Sequence, residues 1–314
     1  MRVFVIKTIF FSLITLIGLI AILLFVNYKV DAGAYYNLPA NKKYLIVGHS
    51  HTECGYNDTI ISDAINLSSG GECYFYTYFK LKKLLEENSH INAVFVGYSN
   101  NMINKEMDEW IWGDEYLSAR YPKYSAFMEP SDIYLLLRNN PKELLATQPV
   151  ATRKYIGFLW GNESNIMKDQ AWGGYLFLER DKTDSLIKVA QNLPSIAPET
   201  EIAENNLRYL DKMISLCKES GVSFYLIRSP LHPAYRGVSN EELFMKTTTE
   251  RYAGVEFLDF KDFSLSNSEF GDLDHLNFKG AKKFSQVIQQ LLTNNLLEVD
   301  DKQAMIDSVI ASQR

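Results

Sequence analysis

Two short runs limit the fold open to this chain more than anything else in it. "KYLIVG" (Lys43–Gly48) and "INAVFVG" (Ile91–Gly97) are apolar almost without a break, and each ends in glycine. A strand with one face in water alternates polar and apolar side chains, whereas a strand that does not alternate is covered on both faces. Between the two runs lies "DAINLSSGG" (Asp63–Gly71), a second short strand closed by a glycine turn. "ECYFYTYFKLKKLLEEN" (Glu72–Asn88) follows, apolar at helical spacing, with a polar face of Lys80, Lys82, Lys83, Glu86 and Glu87. Strand, helix and strand in this pattern predict a parallel sheet sandwiched between helices.

The rhythm stops after Asn101. Residues 102–200 hold several prolines and many aromatics and show no strand alternation, which predicts an insertion of helices and loops. It resumes with a helix over Glu201–Ser220, whose Leu207, Leu210, Ile214 and Cys217 share one stripe and which Gly221 ends. "VSFYLIRSP" is a fourth strand and "VEFLDF" a fifth, separated by a helix around Asn240–Tyr252. A last helix spans Phe278–Leu292. The expected class is α/β: a flavodoxin-like, three-layer α/β/α fold around a five-stranded parallel sheet in the order 2-1-3-4-5. In such sheets ligands bind outside the carboxyl ends of the strands. The residues after Gly48, around Gly70, after Gly97 and around His275 all belong to that edge.

The N-terminus constrains where this fold works. Thr8–Val26, "TIFFSLITLIGLIAILLFV", carries no charge over a membrane-crossing length, and Arg2 and Lys7 precede it. The positive-inside rule then places the N-terminus in the cytoplasm and the rest outside, in a bacterial periplasm or at the cell surface. Ala32, Gly33 and Ala34 mimic a cleavage site, but the apolar run is longer than a signal-peptide core, which favours an uncleaved anchor. The expected organisation is an anchor over 1–28, a linker over 29–43, the α/β domain over 44–293 with its insertion at about 102–200, and a tail over 294–314. A net charge of −6 without basic clusters argues against nucleic acid as a partner. Three cysteines (Cys54, Cys73, Cys217) are read as small buried residues, with a Cys54–Cys73 disulfide the less favoured alternative for an exported domain.

The stretch after the first strand, "GHSHTEC" (Gly48–Cys54), admits three readings. His49, His51 and Cys54 offer nitrogen and sulfur ligands for a metal, though no other histidine cluster supports them. Ser50-His51-Thr52-Glu53 matches a capping box, with Ser50 accepting a backbone N–H at a helix start. Alternatively, Ser50 is a nucleophile on the sharp turn after a buried strand, with backbone N–H groups near it to stabilise an oxyanion. A serine needs a base, and the base needs an orienting acceptor. "GDLDHLN" supplies both, with Asp272 three residues before His275 in the loop preceding the last helix.

Taken in order, Gly48-His49-Ser50, the turn Gly70-Gly71, Gly97-Tyr98-Ser99-Asn100-Asn101 and Asp272-Leu273-Asp274-His275 resemble the four blocks of the SGNH (GDSL-like) hydrolases. The resemblance covers the α/β parts, residues 44–101 and 201–292. It implies Ser50 as nucleophile, His275 as base and Asp272 as its orienter. It implies an oxyanion hole from the Ser50 N–H, the Gly71 (or Gly70) N–H and an asparagine side chain, Asn100 or else Asn101. It implies no cofactor and no metal. Two positions depart from the family: His49 stands where an acid usually precedes the serine, and Ser99 stands where the asparagine usually falls. His49, His51, Arg228 and His232 are further candidates to line the cleft.

With its anchor, the chain resembles the membrane-anchored proteins of alginate-type O-acetylation and of D-alanyl transfer to teichoic acids. That implies an extracytoplasmic enzyme, an esterase or an O-acyltransferase, that adds or removes an O-acyl group, acetyl above all, on an envelope polysaccharide. It also implies a multi-span membrane acyltransferase as partner, with Trp110, Trp112, Trp160 and Trp172 of the aromatic segment stacking on sugar faces. The competing expectation, favoured by His49 and the shifted asparagine, is a catalytically degraded glycan-binding or scaffold subunit.

Overall fold

The structure is a computed structural model and describes residues 1–33, 36–161, 172–194 and 200–312. In chain order the elements are α1 (Arg2–Gly33), β1 (Tyr44–Val47), α2 (Ser50–Gly55), β2 (Ala64–Asn66), α3 (Tyr74–Glu87), β3 (Ala93–Gly97) and α4 (Asn100–Ile103). Then come α5 (Glu109–Trp112), α6 (Asp114–Tyr124), α7 (Pro130–Asn139), α8 (Pro141–Leu159), α9 (Thr183–Ala190) and α10 (Glu204–Glu219). The chain closes with β4 (Ser223–Arg228), α11 (Glu241–Glu250), β5 (Glu256–Asp259), α12 (Phe278–Thr293) and α13 (Lys302–Ser312). The chain divides into two compact units: Met1–Tyr36 with Trp112–Ala171, and Asn37–Ile111 with Trp172–Arg314.

The second unit carries the sheet, in the order β2-β1-β3-β4-β5 with every pair parallel. The fold is therefore the three-layer α/β/α arrangement that unbroken apolar strands predict. Register sets the layers. Ile46 pairs with Phe95, Phe95 with Tyr225, and Ile227 with Leu258, so these side chains share one face. That face packs on Phe284 and Ile288 of α12 and Ile306 of α13 in one buried cluster. The alternate residues, among them Leu45, Val94, Val96 and Leu226, are fully buried on the other side, where α3 and α10 pack. Burying each such side chain contributes about 1.5–3 kcal/mol.

Three features add to the reading of the sequence. The tail is not peripheral: α13 lies on β5 and buries Ile306 and Ile310. The three cysteines are buried free thiols, the reading favoured from sequence, and Cys54 and Cys73 do not pair. Lys80 and Lys83 leave the polar face of α3 and are buried. Lys80 is paired with Glu72 at 2.5 Å, both wholly buried, and its ammonium also donates to the carbonyls of Leu67 and Trp172 at 2.7 and 2.8 Å. The charge is buried because each of its N–H bonds has a partner. Glu72 directly follows Gly70-Gly71, so the ion pair clamps that turn against the end of β2.

The first unit holds α1, the one described helix long and apolar enough to cross a membrane. In it α6, α7 and α8 form a helical layer, with Tyr155 of α8 buried and hydrogen-bonded to the Ser125 hydroxyl and the Ala126 N–H.

Replacing Lys80 by methionine should leave the buried Glu72 carboxylate without its counter-charge and destabilise the fold by about 3–5 kcal/mol. Thermal unfolding of the detergent-solubilised chain checks this; a variant as stable as the parent would contradict it.

Candidate active site

Gly48 ends β1 at φ +148°, and a Cβ there would stand 2.8 Å from Thr52 Oγ1 and 3.0 Å from Gly97 Cα. Only glycine allows this turn beside the end of β3. The turn is locked from the other side by Thr52, whose hydroxyl donates to the His49 carbonyl at 2.9 Å. The next residue, His49, is the N-cap of α2, its Nδ1 accepting the His51 N–H at 3.4 Å. Ser50 is thus the first residue inside the helix and not its cap, so the expected Ser50–Glu53 capping box does not form. Its hydroxyl is left for another partner.

That partner is His275, whose Nε2 lies 2.7 Å from Ser50 Oγ. His275 Nδ1 lies 2.9 Å from Asp272 Oδ1 and 3.3 Å from Asp274 Oδ1. In the neutral ring Nδ1–H donates to carboxylate and Nε2 accepts the serine hydroxyl. Asp272 is fixed in turn: Oδ1 accepts the N–H groups of Asp274 and His275 at 3.1 and 2.8 Å, and Arg180 holds Oδ2 at 3.0 Å. Asp274 bridges to a second imidazole, His51 Nε2, at 3.3 Å.

The carboxylates set the charges. Burial opposes a charge on His275, but Asp272 and Asp274 outweigh it and push its pKa up to about 9. Burial likewise works against ionised Asp274, yet hydrogen bonds from His275 and His51 hold its carboxyl well below the usual range. His51 is lowered by burial in spite of Asp274, and His49 is lowered further by burial beside His51 and His275. Both are therefore neutral at pH 7.

Of the two glycines in the turn after β2, Gly70 stands beside the serine: a Cβ on it would be 3.7 Å from Ser50 Cβ. Gly71 supplies the left-handed bend at φ +67°. The two candidate asparagines point in different directions. Asn100 turns its amide into the interior, donating to Asn240 Oδ1 at 3.1 Å and Glu241 Oε2 at 2.7 Å and accepting from Arg228. Asn101 instead accepts the Ser99 hydroxyl at 2.6 Å, and Ser99 Oγ lies 2.9 Å from His49 Nε2. Since His49 Nδ1 accepts, its Nε2–H donates, and the chain runs from His49 through Ser99 to Asn101. The amide N–H groups of Asn101 remain as donors.

Two of the cleft candidates lie elsewhere. Arg228 is buried, bound to Asp259 and Glu241 and resting on the Phe244 ring at 4.6 Å. Its guanidinium completes an interior network because two carboxylates approach it from β5 and α11. His232 bonds Asn267 at 3.0 Å and lines a separate cavity of about 450 Å³ with Phe263 and Phe270; only its backbone N–H reaches the His275 loop, at the Leu273 carbonyl. Nor do His49, His51 and Cys54 converge on a metal. Burial, with Glu53, pushes the Cys54 thiol up to about 12, which disfavours a thiolate ligand. Among the described residues the potential ligand group is His51, Asp274 and His275, whose ligand atoms lie within 4.8 Å of one another but already hydrogen-bond within the site.

Asp274, Arg180 and the role of Ser99 were missed. Asp274 adjoins His275 in sequence and was legible as a second acid; Arg180 lies in the insertion with no motif around it. It arrives on the extended segment Trp172–Arg180, whose Leu176 N–H bonds the Glu53 carbonyl and whose Leu178 carbonyl accepts the Phe278 N–H, both at 2.9 Å. This strap ties α2 to the His275 loop. It also buries Trp172, removing that ring as a sugar platform.

A protein-family model matches residues 174–297, which is less than half of the chain and so assigns no family. No curated protein matches. Among solved structures, a candidate acylhydrolase from Bacteroides fragilis superposes with a TM-score of 0.37 at 10% identity, covering 85% of this chain and 94% of that chain. A likeness at that level carries no argument about chemistry.

A base must be neutral to accept a proton, so any reaction that uses His275 this way should speed up as pH rises towards about 9. Asp274→Asn removes one of the groups that hold the charge and should move the midpoint of the kcat/KM profile to lower pH. An unchanged midpoint would separate Asp274 from the titration.

Proposed function

We propose that the chain is an SGNH-like serine acyl-transfer enzyme, anchored by α1 and working outside the cytoplasm on O-acyl groups, acetyl above all, of an envelope polysaccharide. The observation that carries it is the continuous path Ser50 Oγ–His275 Nε2 at 2.7 Å and His275 Nδ1–Asp272 Oδ1 at 2.9 Å, at the carboxyl edge of a parallel sheet. A lone serine on a helix end or a lone loop histidine would mean little; the two are 225 residues apart in sequence and meet through their reactive atoms.

The chemistry follows from the arrangement. Ser50 Oγ attacks the acyl carbonyl while its proton passes to His275 Nε2, and Asp272 steadies the imidazolium. The carbonyl oxygen, now an oxyanion, takes hydrogen bonds from the Ser50 and Gly70 (or Gly71) N–H groups and from the Asn101 amide. His275 returns the proton to the departing alcohol, leaving acyl-Ser50. A second hydroxyl, from water or from a sugar, then loses its proton to His275 as it attacks, and Ser50 is released. Water makes the protein an esterase; a sugar makes it an O-acyltransferase, for which a multi-span membrane acyltransferase is the proposed source of the acyl group.

His49 and Ser99 support activity and not decay. They depart from the family pattern together, and they touch: His49 donates to Ser99 and Ser99 to Asn101, so the shifted asparagine is oriented. Arg2 and Lys7 before the uncharged run support the orientation with the N-terminus in the cytoplasm.

A fluorophosphonate should label the folded protein, and Ser50→Ala should abolish the label. His275→Ala should slow aryl acetate hydrolysis by about 10²–10⁴-fold, and Asn101→Ala by about 10²–10³-fold. A folded protein that neither labels nor hydrolyses, yet binds glycan, would replace the enzyme by a binding subunit.

A further inference from the structure

We propose that the helical unit joined to α1 lies on the membrane surface, with one face of α8 seated among lipid headgroups and upper acyl chains. The inference rests on the first unit alone and is independent of the chemistry at Ser50.

The length of α1 comes first. At 32 residues it is about 48 Å long, more than the roughly 30 Å of a hydrocarbon core. Its side chains from Val3 to Phe25 have almost no protein around them, and the first buried ones are Val26 and Val30. Protein packing on α1 therefore begins where a span started near its N-terminus leaves the hydrocarbon. Tyr28 is exposed and Lys29 rests over the Phe25 ring at 5.7 Å, residue types that favour the headgroup level. The partners at this end are α8 and the turn Ser125–Phe127. The end of α8 is placed most closely: Phe158 Cε1 would lie 3.7 Å from a Cβ on Gly33, the last residue of α1.

Next is α8 itself, which has two apolar faces where a helix of a soluble layer has one. Leu144, Thr147, Ala151 and Tyr155 are buried in the unit. A second stripe at helical spacing, Leu145, Pro149, Leu159 and Trp160 with half-buried Ile156 among them, is exposed; Leu145 is 66% and Trp160 73% exposed. Lys142 and Arg153 lie along one edge of this stripe, both exposed. Tryptophan and leucine on one face with basic residues at its rim is the composition of a helix lying in an interface. The preceding helix, α7, adds exposed Tyr134 and Leu137. Lipid is chosen over a second protein because the unit is already held at the bilayer by α1, the exposed stripe ends beside the exit of α1, and basic side chains suit anionic headgroups.

Tryptophan fluorescence of the full chain in nanodiscs decides it. The chain has four tryptophans, none of them in α1, so native lipid contact must come from the extracytoplasmic part. Phospholipids brominated near the top of the acyl chain should quench a component of the emission, and Trp160→Phe should lose that component. Adding Leu145→Trp to that variant should restore it. If Trp160→Phe leaves lipid quenching unchanged, or Leu145→Trp is quenched by aqueous acrylamide and not by brominated lipid, the stripe faces water or a protein partner and the proposal fails. Both positions are exposed, so folding is not at stake, and aryl ester hydrolysis by the same variants reports separately on the Ser50 site.

Discussion

The ends of β1 and β3 approach so closely that no side chain fits between them, and the site depends on that approach. A Cβ on Gly48 would meet the Cα of Gly97 at 3.0 Å, and one on Gly97 would meet Thr52 Cγ2 at 2.8 Å. With both side chains absent, the backbone after β1 turns sharply enough to start α2 at once. His49 then serves as the cap, Ser50 enters the helix with its hydroxyl uncommitted, and the segment after β3 lies near enough for Ser99 to reach His49. A larger residue at either position would part the strand ends, and with them the Ser50 turn and the Ser99–Asn101 segment. Parallel pairing supplies the rest, because it brings every strand's carboxyl end, and the loop carrying His275, to one edge.

Charges buried behind this edge keep it in place. Lys80 and Glu72 clamp the Gly70-Gly71 turn from below, and the ammonium also holds the carbonyl of Trp172, where the strap begins. On the other flank Arg228 joins Asp259, Glu241 and Asn100 across β4, β5, α11 and α4. Such pairs add little net stability over an apolar substitute, but removing one partner is costly. Their contribution here is geometric: Lys80 holds the turn after β2, and Arg228 holds α4 together with β5 and α11.

The fold was legible because its signal is periodic. Unbroken apolar strands ending in glycine can be read locally, and so can the stripe of Leu207, Leu210 and Cys217 on α10. The meeting of Ser50, Asp272 and His275 was legible for a different reason: strand order fixes which loops share an edge. What stayed hidden depends on side-chain direction. Asn100 and Asn101 are adjacent, and nothing in their sequence says that the first turns inward to Arg228 while the second turns to Ser99. Lys80 reads as surface in any helical projection, since only the distant carbonyl of Trp172 and the neighbouring acid make its burial tolerable. Arg180 was invisible because the strap that delivers it has neither helical nor strand periodicity.

His49 shows how a departure from a pattern is interpreted physically. A neutral imidazole, kept so by burial and by His51 and His275, accepts one N–H and donates another without adding charge. It needs an oxygen to receive the Nε2–H, and an asparagine at that position would have to present its own carbonyl and turn its N–H groups away. A serine hydroxyl accepts from His49 and passes the donation on to Asn101. His49 and Ser99 thus work as one arrangement: the histidine donates to the serine, and the serine sets the direction of the Asn101 amide. A single substitution, Ser99→Asn or His49→Asp, leaves a buried donor or acceptor unmatched, whereas the pair in its present form is fully hydrogen-bonded.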